Sequence, residues 1–532
     1  MSLVSFSKVC IQYAGRKVID GATFSVGTGM KIGLVGENGS GKSTIIKLIA
    51  GELEPDDGRV SRSAASQFWH LPQVSEQTPG CNAVDCIMQA HPSLAKLRNR
   101  IKSLESSDMD ESQASEYAEA IGRYEAVDGY RLEQKAHSYL DKLGLDPTLR
   151  QRSQGELSGG ERAAINLATA LLSNADLLLL DEPDNHLDLV RIQWLKQQLV
   201  DYPGSLVLVS HDREIIDSVC THILEVENST VALEQGSLAS YLERKRKRAA
   251  RRQIEYVAQQ QRIAELKRDI QSTEERARRF EGLSTNDHWR RIGKKVAKAA
   301  VVRKRRLERE LDEEHRIDRP RERKTIRFAL AQHKSQRHVL ALRDVNFGYG
   351  PHMLLRDVSL ELEQGERIVI TGGNGTGKTT LLRIALGRLA PSSGDVWRAE
   401  LPFFYCDQQQ AGLEADRSAL EMLRSASGCS HNRAHHILAR MMLKNREALK
   451  PVSVLSGGER TRLLLAVLTH LPVGLAVLDE PTNHLDIPSM EVLERALADY
   501  KGGALLVSHD QRLITNIATD IYSLHEGRLI RQ

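Results

Sequence analysis

Four short motifs occur twice along this chain in the same order, and that duplication constrains its fold more than any other feature. Gly36-Glu37-Asn38-Gly39-Ser40-Gly41-Lys42-Ser43-Thr44 returns as Gly372-Gly373-Asn374-Gly375-Thr376-Gly377-Lys378-Thr379-Thr380. Leu157-Ser158-Gly159-Gly160-Glu161-Arg162 returns as Leu455-Ser456-Gly457-Gly458-Glu459-Arg460. Leu180-Asp181-Glu182-Pro183 returns as Leu478-Asp479-Glu480-Pro481, and Val209-Ser210-His211-Asp212 as Val507-Ser508-His509-Asp510. A block that repeats with its internal order intact implies two copies of one domain. At 532 residues the chain has room for both copies and a further segment between them.

The first motif has the spacing of a phosphate-binding loop: glycine, four residues, then Gly-Lys-Ser/Thr. Lys31-Ile32-Gly33-Leu34-Val35 reads as the strand before it, and Thr44 to Ile49 as the helix after it. Glycines let successive backbone N–H groups curl around a phosphate at the helix N-terminus. Lys42 and Lys378 are then placed to bridge the β- and γ-phosphates of ATP, and Ser43 and Thr379 to hold Mg²⁺. A lone glycine loop is often only a tight turn, but here the strand–loop–helix context occurs twice.

Ala175 to Leu180 and Leu475 to Leu478 are apolar runs that end in paired acids, Asp181-Glu182 and Asp479-Glu480. Continuous apolar character suits a strand buried on both faces of a parallel sheet. Side chains alternate along a strand, so neighbouring acids can take separate tasks. The first acid of each pair is expected at Mg²⁺, and the second is expected to polarise the attacking water.

Charge divides the chain differently. Glu243 to Lys324 carries 28 Lys and Arg against 15 Asp and Glu, a net of +13 in a chain whose total is only +4. The rest is therefore acidic, at −9. Such a segment is too charged to bury a core of its own; it lies on a polyanion or remains solvated. Tyr256, Ile263, Leu266, Ile270, Ala277 and Phe280 follow heptad spacing, as do Ile292, Val296, Ala299, Leu307 and Leu311 after a break at Gly282 to Asp287. The pattern predicts an antiparallel helical hairpin with its tip near 281–290. Trp289, Arg290 and Arg291 fall at that tip, where they either stack on RNA bases and pair with phosphates or pack across the hairpin.

No apolar run approaches the roughly 20 residues of a membrane span, and the first residues lack the apolar core of a signal peptide. Cys10, Cys81, Cys86, Cys220, Cys406 and Cys429 show no metal-ligand spacing, as expected of ordinary thiols in a reducing, cytoplasmic setting.

Phosphate loop, Leu-Ser-Gly-Gly-Glu signature, acidic strand and histidine, in this order, resemble the ATP-binding cassette ATPases. Two cassettes joined by a charged helical linker resemble the ABC-F family of ribosome-associated translation factors. The run Asp479-Glu480-Pro481-Thr482-Asn483-His484-Leu485-Asp486 has a form typical of that family. The resemblance covers essentially the whole chain. It implies an α/β fold, with two tandem ATP-binding cassette (P-loop NTPase) domains joined by a helical-hairpin linker. The domains would span 1–238, with a helical insertion about 91–145, then 239–324 for the linker and 325–532.

The resemblance also implies a head-to-tail sandwich of the two cassettes within a monomer. One site would comprise Gly36 to Thr44, Asp181, Glu182 and His211, closed by Ser456, Gly457 and Gly458. The other would comprise Gly372 to Thr380, Asp479, Glu480 and His509, closed by Ser158, Gly159 and Gly160. Glu182, Glu480, His211 and His509 would be catalytic. Gln73 and Gln408 match the glutamine that senses Mg²⁺ and the γ-phosphate. Tyr13 and Tyr349 match an aromatic that stacks on adenine, or else are ordinary strand packing. The implied partners are ribosomal RNA and peptidyl-site tRNA, with no DNA, and the implied roles are relief of stalled ribosomes or protection from an antibiotic.

The copies differ in three places. Asp184 stands where the second copy has Thr482, and either caps a turn or slows the first site. Tyr405-Cys406-Asp407 precedes Gln408, whereas His70-Leu71-Pro72 precedes Gln73. The first copy also has 84 positions from Gln73 to Leu157, against 47 from Gln408 to Leu455. An exporter ATPase that needs a separate membrane partner is the alternative reading, and it leaves the basic hairpin without a task.

Overall fold

The computed structural model describes residues 2–13, 15–72, 81–105, 111–185, 187–282, 287–311, 338–350, 352–401, 403–406, 416–441, 443, 445–455, 457–470, 474–482 and 485–532. Some side chains within those spans also lie outside the description, including those of Trp289, Arg290 and Arg291. Met1–Leu238 with Arg327–Gln532 forms one compact body, and Ala239–Ile326 forms a second.

The first body contains two copies of one architecture. In the first copy a six-stranded sheet runs in the order Phe68–Leu71, Leu177–Asp181, Ser205–Val209, Lys31–Gly36, His222–Glu227, Thr230–Gln235. All its neighbours are parallel except the last pair. The second copy repeats the order with Phe403–Cys406, Leu475–Asp479, Gly503–Val507, Arg367–Thr371, Asp520–His525 and Arg528–Arg531. Again only the final pair is antiparallel. The fold class is thus the expected α/β one, built twice.

The central strands are buried along their whole length, as their unbroken apolar runs require. Each copy adds a three-stranded antiparallel sheet. Ser2–Tyr13 lies between Arg16–Gly27 and Asp57–Arg62, and His338–Tyr349 lies between His352–Glu363 and Ser393–Arg398. These strands alternate instead, sending Val4, Phe6, Val9 and Ile11 inward to pack with Ile45, Ile49 and Leu177. Leu340, Leu342, Val345 and Phe347 do the same in the second core. In a sheet of this topology the loops at the carboxyl ends of central strands form the ligand crevice. All the repeated motifs except the signature lie there.

The surplus of the first copy is helical. Ala83–Gln89, Pro92–Glu105, Glu111–Ala126 and Gly129–Lys142 occupy it, where the second copy has Ala419–Ser427, His431–Arg440 and the single turn Asn445–Ala448. Its helices are held by Arg98, which pairs with both Asp85 and Glu133, and Tyr124 donates to Glu133 at 2.8 Å.

In the second body, Leu238–Gly282 is one helix of 45 residues and Asp287–Leu311 one of 25. At 1.5 Å per residue the first is roughly 67 Å long. Arg303 Nε lies 3.6 Å from Asp269 Oδ2, so the second helix returns alongside the first. Tyr241, Gln259, Ile263, Ile270 and Ala300 are buried among the described residues of this body, whereas Ile254, Val301 and Val302 are exposed. The expected tip falls partly on 283–286, outside the described residues. The backbone of Trp289, Arg290 and Arg291 lies in the first turns of the second helix.

Candidate active sites

Each phosphate loop joins a central strand to a helix, Lys42–Ala50 or Lys378–Ala385. Gly41 takes φ +109° and Gly377 φ +103°, in the left-handed region, so each loop can turn directly into its helix. A Cβ at Gly41 would meet Val18 Cγ1 at 2.7 Å, and one at Gly377 would meet Leu354 Cγ at 2.8 Å. Glycine is therefore required there by space as well as by torsion.

The loops wrap around their own lysines. Lys42 Nζ donates to the carbonyls of Gly36 (3.0 Å) and Glu37 (3.2 Å) and to Asn38 Oδ1 (3.4 Å). Lys378 Nζ donates to Gly372 O at 2.7 Å and Gly373 O at 2.8 Å. Burial pushes both ammonium groups below the ordinary lysine value. Asp486, Glu182 and Asp181 oppose that shift at Lys42, and Glu480, Asp479 and Asp188 oppose it at Lys378. An anion between these cations and the helix N-termini would be held by both. Gly39, Ser40, Gly375 and Thr376 complete the turns, and Thr44 and Thr380 lie in the first turns of the helices.

Beside each loop a hydroxyl meets the first strand-end acid. Thr379 Oγ1 donates to Asp479 Oδ2 at 2.7 Å, and Ser43 hydrogen-bonds Asp181. Burial raises the Asp181 carboxyl above its ordinary value, with Glu182 adding to the shift against Ser43, His70 and Lys42. Two hard oxygens so placed fit Mg²⁺. Gln73 and Gln408, expected at the same ion, lie outside the described residues.

The second acid of each pair faces a histidine. His211 Nε2 lies 3.0 Å from Glu182 Oε1, and His509 Nε2 lies 3.4 Å from Glu480 Oε1, the latter without hydrogen-bond alignment. Burial alone would push the Glu182 carboxyl up. His211, through its hydrogen bond and charge, acts with the Asn185 amide and Lys42 to hold it down at about 2. Glu182 stays ionised at any physiological pH. Both glutamates adopt positive φ, +54° and +48°, an arrangement that costs energy and occurs at functional sites.

The signature motif caps a helix. Ser158 Oγ accepts from the Glu161 N–H and Glu161 Oε2 accepts from the Ser158 N–H at 2.6 Å, leaving Gly159 and Gly160 at an exposed N-terminus. Gly457 and Gly458 begin the corresponding helix Gly457–His470, and Ser456 lies outside the described residues. Tyr13 and Tyr349 are 51% and 56% exposed, and Tyr349 packs edge-on against Phe347 with ring centroids 5.0 Å apart.

Several residues that sequence reasoning passed over join the two cassettes. The Asn38 N–H donates to Asp486 Oδ2 at 3.2 Å. Asp188 Oδ2 comes within 3.7 Å of where a Gly373 Cβ would sit. Both aspartates end a repeated Asn-His-Leu-Asp run and cap the following helix, a signal visible in the sequence. Arg213 has no such signal. It is 5% exposed and donates to Glu494 Oε1 at 3.0 Å and to Ile487 O at 2.9 Å. A cavity of about 70 Å³ lies between the cassettes, lined by Asp184, His211, Asp212, Glu480, His509 and Asp510 among others. Asp184 Oδ1 is buried there without a hydrogen-bond partner. The acid that distinguishes the first copy thus faces the second cassette as well as its own site.

The sequence profile of the ABC transporter family matches residues 19–185 and 355–483. The chain is 32% identical to the probable ATP-binding protein YheS of Escherichia coli K12, over 99% of this chain and 79% of that protein. It is also 32% identical to ABC transporter F family member 5 of Arabidopsis thaliana, over 99% of this chain and 75% of that one. In fold it is similar to the archaeal ribosome recycling factor aABCE1, solved with the ribosomal stalk protein aP1. That match has a TM-score of 0.59 at 19% identity and covers 98% of this chain and 89% of the other. With paired phosphate loops, acidic strands and signatures in place, the chain belongs to the F branch of the ATP-binding cassette family and is an ATP hydrolase.

Proposed function

We propose that the chain is an ATP-driven translation factor that acts in the cytoplasm on the ribosome. ATP would bind with its phosphates in the loops Gly36 to Thr44 and Gly372 to Thr380, and with its adenines on Tyr13 and Tyr349. Each nucleotide would be closed over by the signature of the opposite cassette: Ser456, Gly457 and Gly458 on one, Ser158, Gly159 and Gly160 on the other. Mg²⁺, held by Ser43 and Asp181 or by Thr379 and Asp479 with Gln73 and Gln408, would offset charge on the β- and γ-phosphates. Glu182, held ionised beside His211, and Glu480, beside His509, would polarise the attacking waters. Hydrolysis would then reopen the cassettes.

The observation that carries the ribosome reading is the second body. Two helices, one of 45 residues, run through most of the +13 segment. A basic segment of that kind suits RNA phosphates, and Trp289, Arg290 and Arg291 would meet ribosomal RNA or peptidyl-site tRNA. A relative in fold is itself named as a ribosome recycling factor. Among the described residues no helix is long and apolar enough to cross a membrane. The role would be relief of stalling or protection from an antibiotic at the peptidyl-transferase centre.

Sedimentation of the ATP-loaded Glu182→Gln/Glu480→Gln protein with ribosomes, and separately with membrane vesicles, tests this. Ribosome binding that requires ATP is expected. Binding to vesicles alone would overturn the reading in favour of an exporter subunit.

A further inference from the structure

His211 accounts for one oxygen of the Glu182 carboxylate; the other is held by a residue to which the cassette chemistry assigns no task. Asn185 Nδ2 donates to Glu182 Oε2 at 2.7 Å. The same residue closes a turn, its backbone N–H donating to Glu182 O at 3.3 Å. Glu182 begins that turn with φ +54°, immediately after the strand Leu177–Asp181. A donor on each oxygen restrains rotation of the carboxylate in its plane.

The geometry points to Asn185 as a positioning residue for hydrolysis at the first site, fixing the Glu182 carboxylate against which the attacking water is aligned. This rests on the reading of Glu182 as the residue that polarises water. A carboxylate that loses the donor on one oxygen rotates more readily about its terminal torsion, which is broad. A base that swings loses alignment with the water it must orient. The amide also favours the ionised carboxylate electrostatically, in the same sense as His211 and Lys42 and against burial. Asn185 lies on the loop ending at Asp188, beside the second phosphate loop, so the same loop touches both sites. The corresponding Asn483 lies outside the described residues.

The test isolates the first site in a Glu480→Gln background. Asn185→Ala is expected to lower kcat about 10–100-fold, the worth of a hydrogen bond to a charged group, with KM for ATP within about two-fold. Asn185→Asp keeps the shape of the side chain and its suitability for a turn but replaces the donor with an acceptor, and supplies the discriminating readout. It is expected to lose at least as much kcat as Asn185→Ala, again with KM for ATP within about two-fold. A residue that only shaped the turn would tolerate Asp with little change in kcat.

An Asn185→Ala rate within about three-fold of the parent overturns the assignment. So does an Asn185→Asp rate within about three-fold of the parent. Glu182→Gln in the same background is the separate control. If it keeps turnover within a few-fold, the reading of Glu182 fails, independently of Asn185.

Discussion

The backbone N–H of Asn38 donates to the Asp486 carboxylate at 3.2 Å, so a phosphate loop of one cassette is tied directly to a helix cap of the other. Asp486 Oδ1 accepts from the Ser489 N–H at 3.0 Å while Oδ2 takes Asn38. One side chain thus stabilises a local helix and reports on the opposite nucleotide site. Asp486→Asn keeps a cap of nearly equal quality but removes the charge beside Lys42. Its Tm is expected to match the parent's, while ATP turnover at the first site falls. Asp486→Ala also loses the cap, worth about 1 kcal/mol, and lowers Tm as well. Thermal unfolding beside ATPase rates in a Glu480→Gln background separates the two effects.

Removing both polarising carboxylates isolates chemistry from binding. Glu182→Gln/Glu480→Gln is expected to lower ATP turnover by about 10²–10⁴-fold, the usual worth of a general base. The phosphate loops are untouched, so equilibrium ATP binding remains. A double variant with turnover within a few-fold of the parent would refute both assignments.

Arg213 and Glu494 form an ion pair that joins the cassettes on one side only. Arg213 is almost fully buried, and Glu494 also accepts from Asn516 Nδ2 at 3.1 Å. At the related positions the chain has Gln511 and Lys196, which cannot make the same pair, and Lys196 instead bonds Glu214 at 2.7 Å. Arg213→Ala leaves the partly exposed Glu494 carboxylate beside a neutral amide, at a cost of about 3 kcal/mol. The unfolding free energy in denaturant should fall by that amount. Replacing Arg213 and Glu494 together with Met should recover most of it.

The carboxyl of Asp212 gives the cassette interface a pH dependence of definite sign. Burial, followed by the charge of Asp184, pushes it up to about 7. Asp510 adds to the shift, and the N–H groups of Ile215 and Glu214 oppose it. His211, His509 and Glu480 line the same cavity. A raised acid contributes stability that is fully present below its ordinary value, near 3.8, and is lost as pH rises through about 7. Tm should therefore decline across that interval. Asp184→Thr, the residue found at Thr482, should flatten the decline; an unchanged slope would contradict the coupling.

The basic body should govern docking through charge. Replacing Arg244, Lys245, Arg246, Lys247 and Arg248 with neutral residues is expected to weaken ribosome binding and flatten its dependence on salt, because fewer phosphate contacts release fewer counterions. Replacing Trp289, Arg290 and Arg291 with Ala should leave ATPase and most binding intact. It should, however, abolish the effect on peptide synthesis by stalled or drug-treated ribosomes. Full activity of that variant in the synthesis assay would leave the hairpin as a spacer.

What the sequence determined by itself was local and periodic. Phosphate loops, buried strands ending in Asp181-Glu182 and Asp479-Glu480, and two long basic helices were legible because loop chemistry, apolar runs and heptad spacing are properties of contiguous residues. Duplication made each reading twice as secure, since the same motif had to make sense in both copies. Asp188 and Asp486 were legible as helix caps, but their reach to the opposite phosphate loop was not. Nor were Arg213 with Glu494, 281 residues apart, Asn185 against Glu182, or the three aspartates Asp184, Asp212 and Asp510 around one cavity. Asn185 meets Glu182 through the turn that separates them by three residues; the other two depend on how two separately folded surfaces meet. Burial there converts ordinary polar side chains into an ion pair across the interface and an acid titrating near 7. The physical reason is desolvation: a charge on an isolated cassette is solvated whatever its neighbours, and its energy becomes specific only when the second cassette removes the water.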